Sequence, residues 1–450
     1  MKKGGIPMEE ILEMLENKEF KKLRLDIENK QPADVAELIE ELSDKESLLL
    51  FRLLPKDMAV DVFSFMEPYY QAKLSELIKI DELRELVNEL NFDDKIDLLE
   101  EIPANLVKKI LQHSHDSERK LINQFLNYPE YSAGSLMTIE YIDLKKEMTA
   151  GNAIDYIRNN GYEKETIYTC YVINNSRKLE GIISLKDIIL ADENELVGDL
   201  MEKDFLSITT TEDQEEVAEL FKKYDFLAIP VVDLEQRLVG IITVDDILDV
   251  IEEENTEDFH RMAALQPTER DYMDSSVYSL AKQRLPWLMV LMISATFTGA
   301  IIKGYESVLS QVAALMVFVP MLMGTGGNAG SQSSTLIVRG IALGEVNTKD
   351  ILKVIWKEFR VSLMVGLSLA ILNFLRILYV EKYNVNIAFT VSLTLIITIM
   401  LAELIGGTLP IVAKKLNLDP AIMASPMITT ILDALVLITY FTVANRILEI

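Results

Sequence analysis

Three patterns of apolar and polar positions divide the chain. Over roughly the first 130 residues apolar positions return every three or four, as in Ala36, Leu38, Ile39 and Leu42 and again in Leu83, Leu86, Val87 and Leu90, with Pro32, Pro55, Pro68 and Pro103 between the segments. This spacing predicts short amphipathic helices. Each is too small to bury its own apolar face, so a superhelical stack is expected. From about Gly134 to Glu254 the pattern changes to short strands and helices, and it repeats. LEGIISLKDII at 179–189 returns 59 residues later as LVGIITVDDIL at 238–248, and Leu136 and Met137 are answered 64 residues on by Leu200 and Met201. Each copy predicts a strand, a turn with Gly, a second strand and a helix begun by Ser184 or Thr243.

Beyond residue 281 the chain is mostly apolar. Uncharged runs cover 285–302 and 307–338, and three more candidates follow: 361–380, interrupted by Arg376 near one end, 383–413 with Glu403, and 420–445 with Asp433. A spanning helix takes about 20 apolar residues, and a basic side chain near a helix end can reach the interface. Five spans are therefore expected. Inside the second, VPMLMGTGGNAGSQ (319–332) combines Pro320 with Gly324, Gly326, Gly327 and Gly330, and places Asn328, Ser331, Gln332 and Ser333 beside them. Polar or irregular backbone at membrane depth is tolerated where it is buried in protein or lines a watery cavity. Small residues also let two helices approach closely. The stretch is thus either part of a pore or a close helix contact.

Charge sharpens the division. Residues 281–450 hold 13 Lys and Arg against 9 Asp and Glu, whereas the first 280 hold 31 against 62, giving +4 and −31 of the total −27. Such an acidic soluble part repels nucleic acid and suits cations as partners. Cys170 is the sole cysteine and there are three histidines, which excludes an intrachain disulfide and argues against a Cys/His zinc site. The first 20 residues, rich in Glu and Lys, lack the apolar core of a signal peptide, and the N-terminal part is expected in the cytoplasm. The 339–360 connection carries five Lys and Arg, and Lys414 and Lys415 mark the fourth loop. By the excess of positive charge these loops are cytoplasmic, which puts the C-terminus outside. No Gly-Lys-Ser/Thr nucleotide-hydrolysis loop is present, so an enzyme is not expected.

Two acidic features stand out. Between Asp245 and Asp258 eight of fourteen residues are acidic and none is basic, with Asp246, Asp249, Glu253 and Glu257 spaced along one helical stripe. Like charges at this spacing destabilise a helix, so the stripe is either a solvated surface or a cation site; Thr211–Glu216 region acids and Asp225 add to it, while Asp61, Asp93, Asp94 and Asp97 suit an exposed helix face. Asp433 has 13 uncharged residues before it and 12 after. An acid at the bilayer centre is costly and marks an ion path, unless it is a hydrogen-bonded structural group. Glu403, less central, poses the same choice.

The tandem repeat resembles a pair of CBS domains. In that family Ser/Thr-x-x-Asp at the helix start holds ribose, which implies Ser184, Asp187, Thr243 and Asp246 here; helix N-capping explains the same residues equally well, so ATP as a ligand stays open. With the acidic helical domain, the connecting acidic helix and GTGGNAGSQ, the whole chain resembles the MgtE family of magnesium channels. The resemblance implies a multidomain protein with an all-α superhelical N-terminal domain (1–130), an α/β tandem CBS pair (131–196 and 197–252), a connecting plug helix (253–280) and an all-α transmembrane domain of five helices (281–450). It implies a homodimer in the cell (inner) membrane, with a pore between the second and fifth spans. Mg2+ would pass Asp433 and Thr429, with Gly324, Asn328 and Ser331 along the path; Ser331 and Ser425 replace the Asn expected in the family. Regulatory Mg2+ would be sensed at Asp61, Asp93, Asp97, Asp213, Glu215, Asp225, Asp246, Asp249, Glu254, Glu257 and Asp258, closing the channel when cytosolic Mg2+ is high. The alternatives are an alternating-access carrier of Mg2+ or Co2+ regulated by nucleotide, and a membrane magnesium sensor that transports nothing.

Overall fold

The computed structural model describes residues 8–112, 115–267, 272, 275–423 and 425–449. It divides into two compact units, Met1–Ile251 and Glu252–Ile450.

The first unit opens with ten helices of eight to ten residues, from Met8–Glu16 to Asp116–Phe125. Proline sets four of their starts. Pro32 and Pro68 occupy the first helical turn and Pro55 and Pro103 the N-cap, where a missing N–H costs nothing. Leu83, Leu86, Val87 and Leu90 are all buried, as their spacing predicts. The apolar faces do not stop at the helical part. Their cluster continues into the second repeat through Val217, Phe221, Ile229, Val231, Ile242, Ile247 and Val250, whereas the first repeat has its own core around Ile142, Cys170, Val172 and Ile188.

Both repeats form a three-stranded sheet. In the first, β1 (Ile142–Leu144) runs parallel to β2 (Thr169–Ile173), which pairs antiparallel with β3 (Leu179–Ser184); in the second, β4 (Ile208–Thr209), β5 (Ala228–Val232) and β6 (Leu238–Thr243) repeat that order. The repeats are interlocked. Thr138 exchanges backbone hydrogen bonds of 2.8 and 2.9 Å with Ile241, and Glu202 does so at 2.8 and 3.0 Å with Ile182. Each lead-in segment therefore packs on the other repeat's last strand. A Cβ at Gly240 would lie 2.8 Å from the Thr138 carbonyl, and one at Gly181 2.8 Å from that of Glu202. The Gly in each copy is required by this close crossing, which also accounts for the recurring Leu-Met pair.

The second unit contains the end of a helix that begins in the second repeat, Val244–Met262, and five long helices: α1 (Val277–Gly304), α2 (Leu315–Ala342), α3 (Ile351–Leu375), α4 (Val385–Lys415) and α5 (Ser425–Leu448). Of the stretch expected as connecting helix, 253–280, the helix covers the part up to Met262. Among the described residues four helical segments are long and apolar enough to cross a membrane: Val277–Gly304, Thr348–Val380, Val385–Lys415 and Pro426–Leu448. Five were expected. The fifth, α2, is long enough at 28 residues, but Thr325, Asn328, Ser331 and Gln332 dilute its apolar content. Helix α4 packs against α2, α3 and α5 and buries sixteen side chains or glycines, whereas α1 buries none.

Pro320 and the four glycines do not interrupt the helix: α2 is helical throughout, with Pro320 inside it. Its glycines serve contact instead. A Cβ at Gly330 would lie 2.5 Å from Leu432 Cδ1, and Gly406 of α4 abuts the Gly330 backbone. Close approach of this kind gives the dispersion contacts that hold helices together in lipid, where the hydrophobic effect does not act between them. Gly324, by contrast, faces open space.

Candidate metal centres

The helix Phe92–Glu101 turns Asp93 and Asp94 toward Glu140, Glu165, Asp245 and Asp246 within the first unit. Asp93 is only 8 % exposed and its Oδ1 accepts from the Asp94 amide at 3.1 Å. Burial, then the charges of Asp246, Asp94 and Glu165, push its carboxyl well above the ordinary range. Burial followed by Asp246, Asp245 and Glu140 pushes Asp94 up to about 7. Glu165, which accepts from Asn91 Nδ2 at 2.7 Å, is also pushed to about 7 by burial and by Asp245 and Asp246. Asp246 is pushed to about 6 by burial, against the opposing hydrogen bond that Thr243 Oγ1 donates at 2.8 Å. Buried carboxylates that act on one another favour a proton or a cation over bare charge, because an unpaired buried charge is costly.

The structure thus brings together Asp93 and Asp246, with Asp249 acting on Asp246. It does not add the others. Asp61 and Asp97 lie on exposed faces of their helices. Asp213 caps the start of Gln214–Tyr224, accepting from the Glu215 amide at 2.9 Å, and Asp225 ends that helix in the left-handed conformation (φ 54°). Eleven residues separate those ends by about 16 Å, so they cannot share one ion within a chain. The sequence reading missed Glu140 and Glu165 as members of the cluster and named Asp245 only as the start of the acidic stretch. The first two stand in loops, and no periodicity ties them to the cluster.

A second acidic group forms in the other unit. Asp258 is pushed to about 6 by burial and Asp419, with smaller contributions from Glu254 and Glu257. Arg261 pairs with both Glu257 and Asp419, and Asp419 also accepts from the Ala421 amide at 2.7 Å. Neither Arg261 nor Asp419 was singled out from the sequence. A base following the acidic stripe, and an acid before Pro420, were the available signals.

In the helical bundle Asp433 is partly exposed on α5 and makes no hydrogen bond or ion pair among the described residues. Thr429, one turn before it, donates to the Pro426 carbonyl at 2.9 Å and touches Gly327, where a Cβ would lie 3.0 Å from Thr429 Cγ2. On α2, Gly324, Asn328 and Gln332 recur every four residues on an exposed face and Ser331 is half-buried beside them. The Ser425 side chain lies outside the described residues. Gly326, Gly327 and Gly330 are packed, as the close-contact reading expects, and Gly324 and Asn328 are exposed on another side of the helix.

The two candidate ribose sites differ. Ser184 Oγ lies 2.6 Å from Asp187 Oδ2 and accepts from the Asp187 amide at 3.1 Å, in the open. Buried Thr243 and half-buried Asp246 make the same hydroxyl–carboxylate pair, inside the acidic cluster. Among the described residues no three His, Cys, Asp or Glu side chains converge closely enough to enclose a metal.

These features define a class: an α-helical membrane protein joined to an acidic helical domain and a CBS pair. Residues 319–443 match the family model described as a divalent cation transporter, MgtE; residues 30–131 match the MgtE intracellular N domain, and 133–194 and 197–253 match the CBS domain. The chain is 36% identical over 443 residues to the magnesium transporter MgtE of Thermus thermophilus, covering 97% of both, and 35% identical over 436 residues to that of Bacillus subtilis, covering 97% and 96%. It belongs to the MgtE family, whose named relatives here are magnesium transporters. The first unit resembles the crystal structure of the cytosolic domain of the Mg2+ channel MgtE in complex with ATP, at 36% identity, a TM-score of 0.52 and coverage of 54% of this chain and 99% of that one. The soluble part of a magnesium transporter matches at 30% identity and a TM-score of 0.50, covering 55% and 99%.

Proposed function

We propose that the protein is a magnesium channel that admits Mg2+ down its electrochemical gradient and closes when cytosolic Mg2+ rises. The carrying observation is Asp433: a carboxylate in an apolar helix, with no hydrogen bond or ion pair among the described residues, one turn from a threonine that touches the Gly-rich helix. Two copies related by a two-fold axis would bring two such carboxylates to one path, with Thr429, Gly324, Asn328 and Ser331 along it. Mg2+ sheds water reluctantly and is held by one or two carboxylates with waters retained, which suits this sparse set. The membrane potential drives inward flow, since a divalent ion gains ~4.6 kcal/mol per 100 mV.

The proposed sensor is the set of raised carboxylates. Mg2+ on Asp93, Asp246 and Asp249, and on Glu254, Glu257 and Asp258, stabilises the closed state; its loss leaves like charges that repel. The remaining expected positions, Asp61, Asp97, Asp213, Glu215 and Asp225, would act through rearrangement or through the second copy. Moving such a switch from 1:99 to 99:1 takes ~5.5 kcal/mol of differential binding, within reach of several weak sites together. ATP would bind at half-buried Ser184 and exposed Asp187. With α2 crossing as well as the four apolar helices, the acidic domains face the cytoplasm and the C-terminus the outside.

Mg2+ uptake into liposomes carrying the full chain tests the path: native protein takes up Mg2+ and Asp433→Ala, equally inserted, does not. Equal uptake by both would remove Asp433 from the path. Single-channel current steps separate a channel from the alternating-access carrier, and flux from Asp246→Ala, Asp249→Ala and Glu257→Ala combined should no longer be suppressed by high Mg2+.

A further inference from the structure

A second group of oxygens, separate from Asp433, lies where α2, α3 and α4 meet. Ser333 Oγ is 2.7 Å from Glu358 Oε2 and 3.0 Å from the backbone carbonyl oxygen of Glu403. A Cβ at Gly407 would come within 2.9 Å of Glu358 Cγ and 3.1 Å of Ser333 Oγ, so the bare backbone there admits the Glu358 chain. Glu403 is 7 % exposed, and its Oε2 makes no hydrogen bond. The charge that acts on it is that of Glu358. Among the described residues neither carboxylate forms an ion pair; on α3 and before it, Lys353 is held by Asp350 at 2.7 Å and Arg360 lies over the Trp356 ring.

Two carboxylates in an apolar bundle need a positive partner. The spacing indicates which. Mg2+ bound octahedrally at about 2.0–2.1 Å sets neighbouring ligand oxygens about 2.9 Å apart, and the two Ser333 separations lie on either side of that edge length. The hydroxyl, two carboxylates and one carbonyl are hard oxygen donors, with room left for retained water on the half-exposed side of Glu358.

We propose that Ser333, Glu358 and Glu403 form, within each chain, a binding site for a hard divalent cation of the Mg2+ type, separate from Asp433. Occupied, it ties three helices together just beyond the Gly-rich stretch and next to the Gly330 and Gly406 contact. It fixes the helix that carries the exposed Gly324 and Asn328.

The test uses the full chain crystallised with Mn2+, whose anomalous scattering marks the ion. A peak bounded by Ser333, Glu358 and Glu403 is expected, and it disappears in Glu403→Gln while peaks at the cytosolic acids persist. Counting bound Mn2+ by electron paramagnetic resonance should show the loss of one ion per chain. Should Glu403→Gln not fold, Ser333→Ala is expected to weaken the same peak. Mn2+ at the cytosolic acids with none here overturns the proposal. So does a carboxylic-acid C=O infrared band that survives saturating Mn2+ and vanishes in Glu403→Gln, since that reports a shared proton. Repeating the count in Asp433→Ala keeps the outcome independent of the pore, because this site should still fill.

Discussion

Asp246 is, after burial itself, the largest influence holding the Asp93 carboxyl above its ordinary range. One side chain comes from a helix of the N-terminal stack and the other from the helix that follows β6, so the two titrate as part of one packed surface. Groups raised on folding bind protons more tightly in the folded chain, so their stabilisation is fully present below the unfolded value of 3.8 and is lost as pH rises through about 6 to 7. Asp44 and Glu89, held low by Lys73 and Lys56, pull the other way from exposed positions that salt screens. Metal-free full-length protein should therefore melt at a lower temperature above neutrality than in mild acid, and saturating Mg2+ should flatten the curve. A melting temperature independent of pH without metal would contradict the cluster.

Replacing Asp246 with Asn keeps an oxygen for the Thr243 hydroxyl but removes the charge felt by Asp93, Asp94 and Glu165. Each pKa unit relieved is worth about 1.4 kcal/mol, so metal-free stability at neutral pH should rise by an amount on the order of 1 kcal/mol. The stabilisation given by Mg2+ should shrink. Differential scanning calorimetry with and without Mg2+ measures both.

Gly406 and Gly324 separate packing from exposure. A methyl group at Gly406 would strike the Gly330 backbone, which cannot give way as a side chain can. Gly406→Ala should cost about 1–3 kcal/mol, read as a lower melting temperature in detergent. Gly324→Ala meets nothing within 4 Å and replaces a mid-helix glycine, so stability should hold or rise by up to ~1 kcal/mol.

Arg261 is the base among Glu257, Asp258 and Asp419. Arg261→Gln leaves these carboxylates uncompensated, so the metal-free protein should lose on the order of 1 kcal/mol or more and gain more from Mg2+ than the native chain does. Thermal shift against Mg2+ concentration checks this. An unchanged Mg2+ increment would mean that Arg261 does not stand in for a cation.

The sequence alone determined what depends on local order. Helix periodicity located the short N-terminal helices, the 59-residue repeat located two equivalent strand pairs, and charge separated the acidic part from the apolar helices. Asp433 was legible because a lone acid in an apolar run is conspicuous without any fold. Tertiary structure decided what depends on residues distant in sequence. Glu140 and Glu165 joined Asp93 and Asp246 only when the helical stack met segments of both repeats, and Asp419 met Arg261 across 158 residues of chain. Glu358 and Glu403 look like separate charges on separate helices until Gly407 lets one pass close to the other. The Gly-rich stretch shows the division most clearly. Its composition left a pore and a close helix contact both open, and the fold packs Gly326, Gly327 and Gly330 while Gly324 and Asn328 share an exposed side, because residues three and four apart lie on one face of a helix.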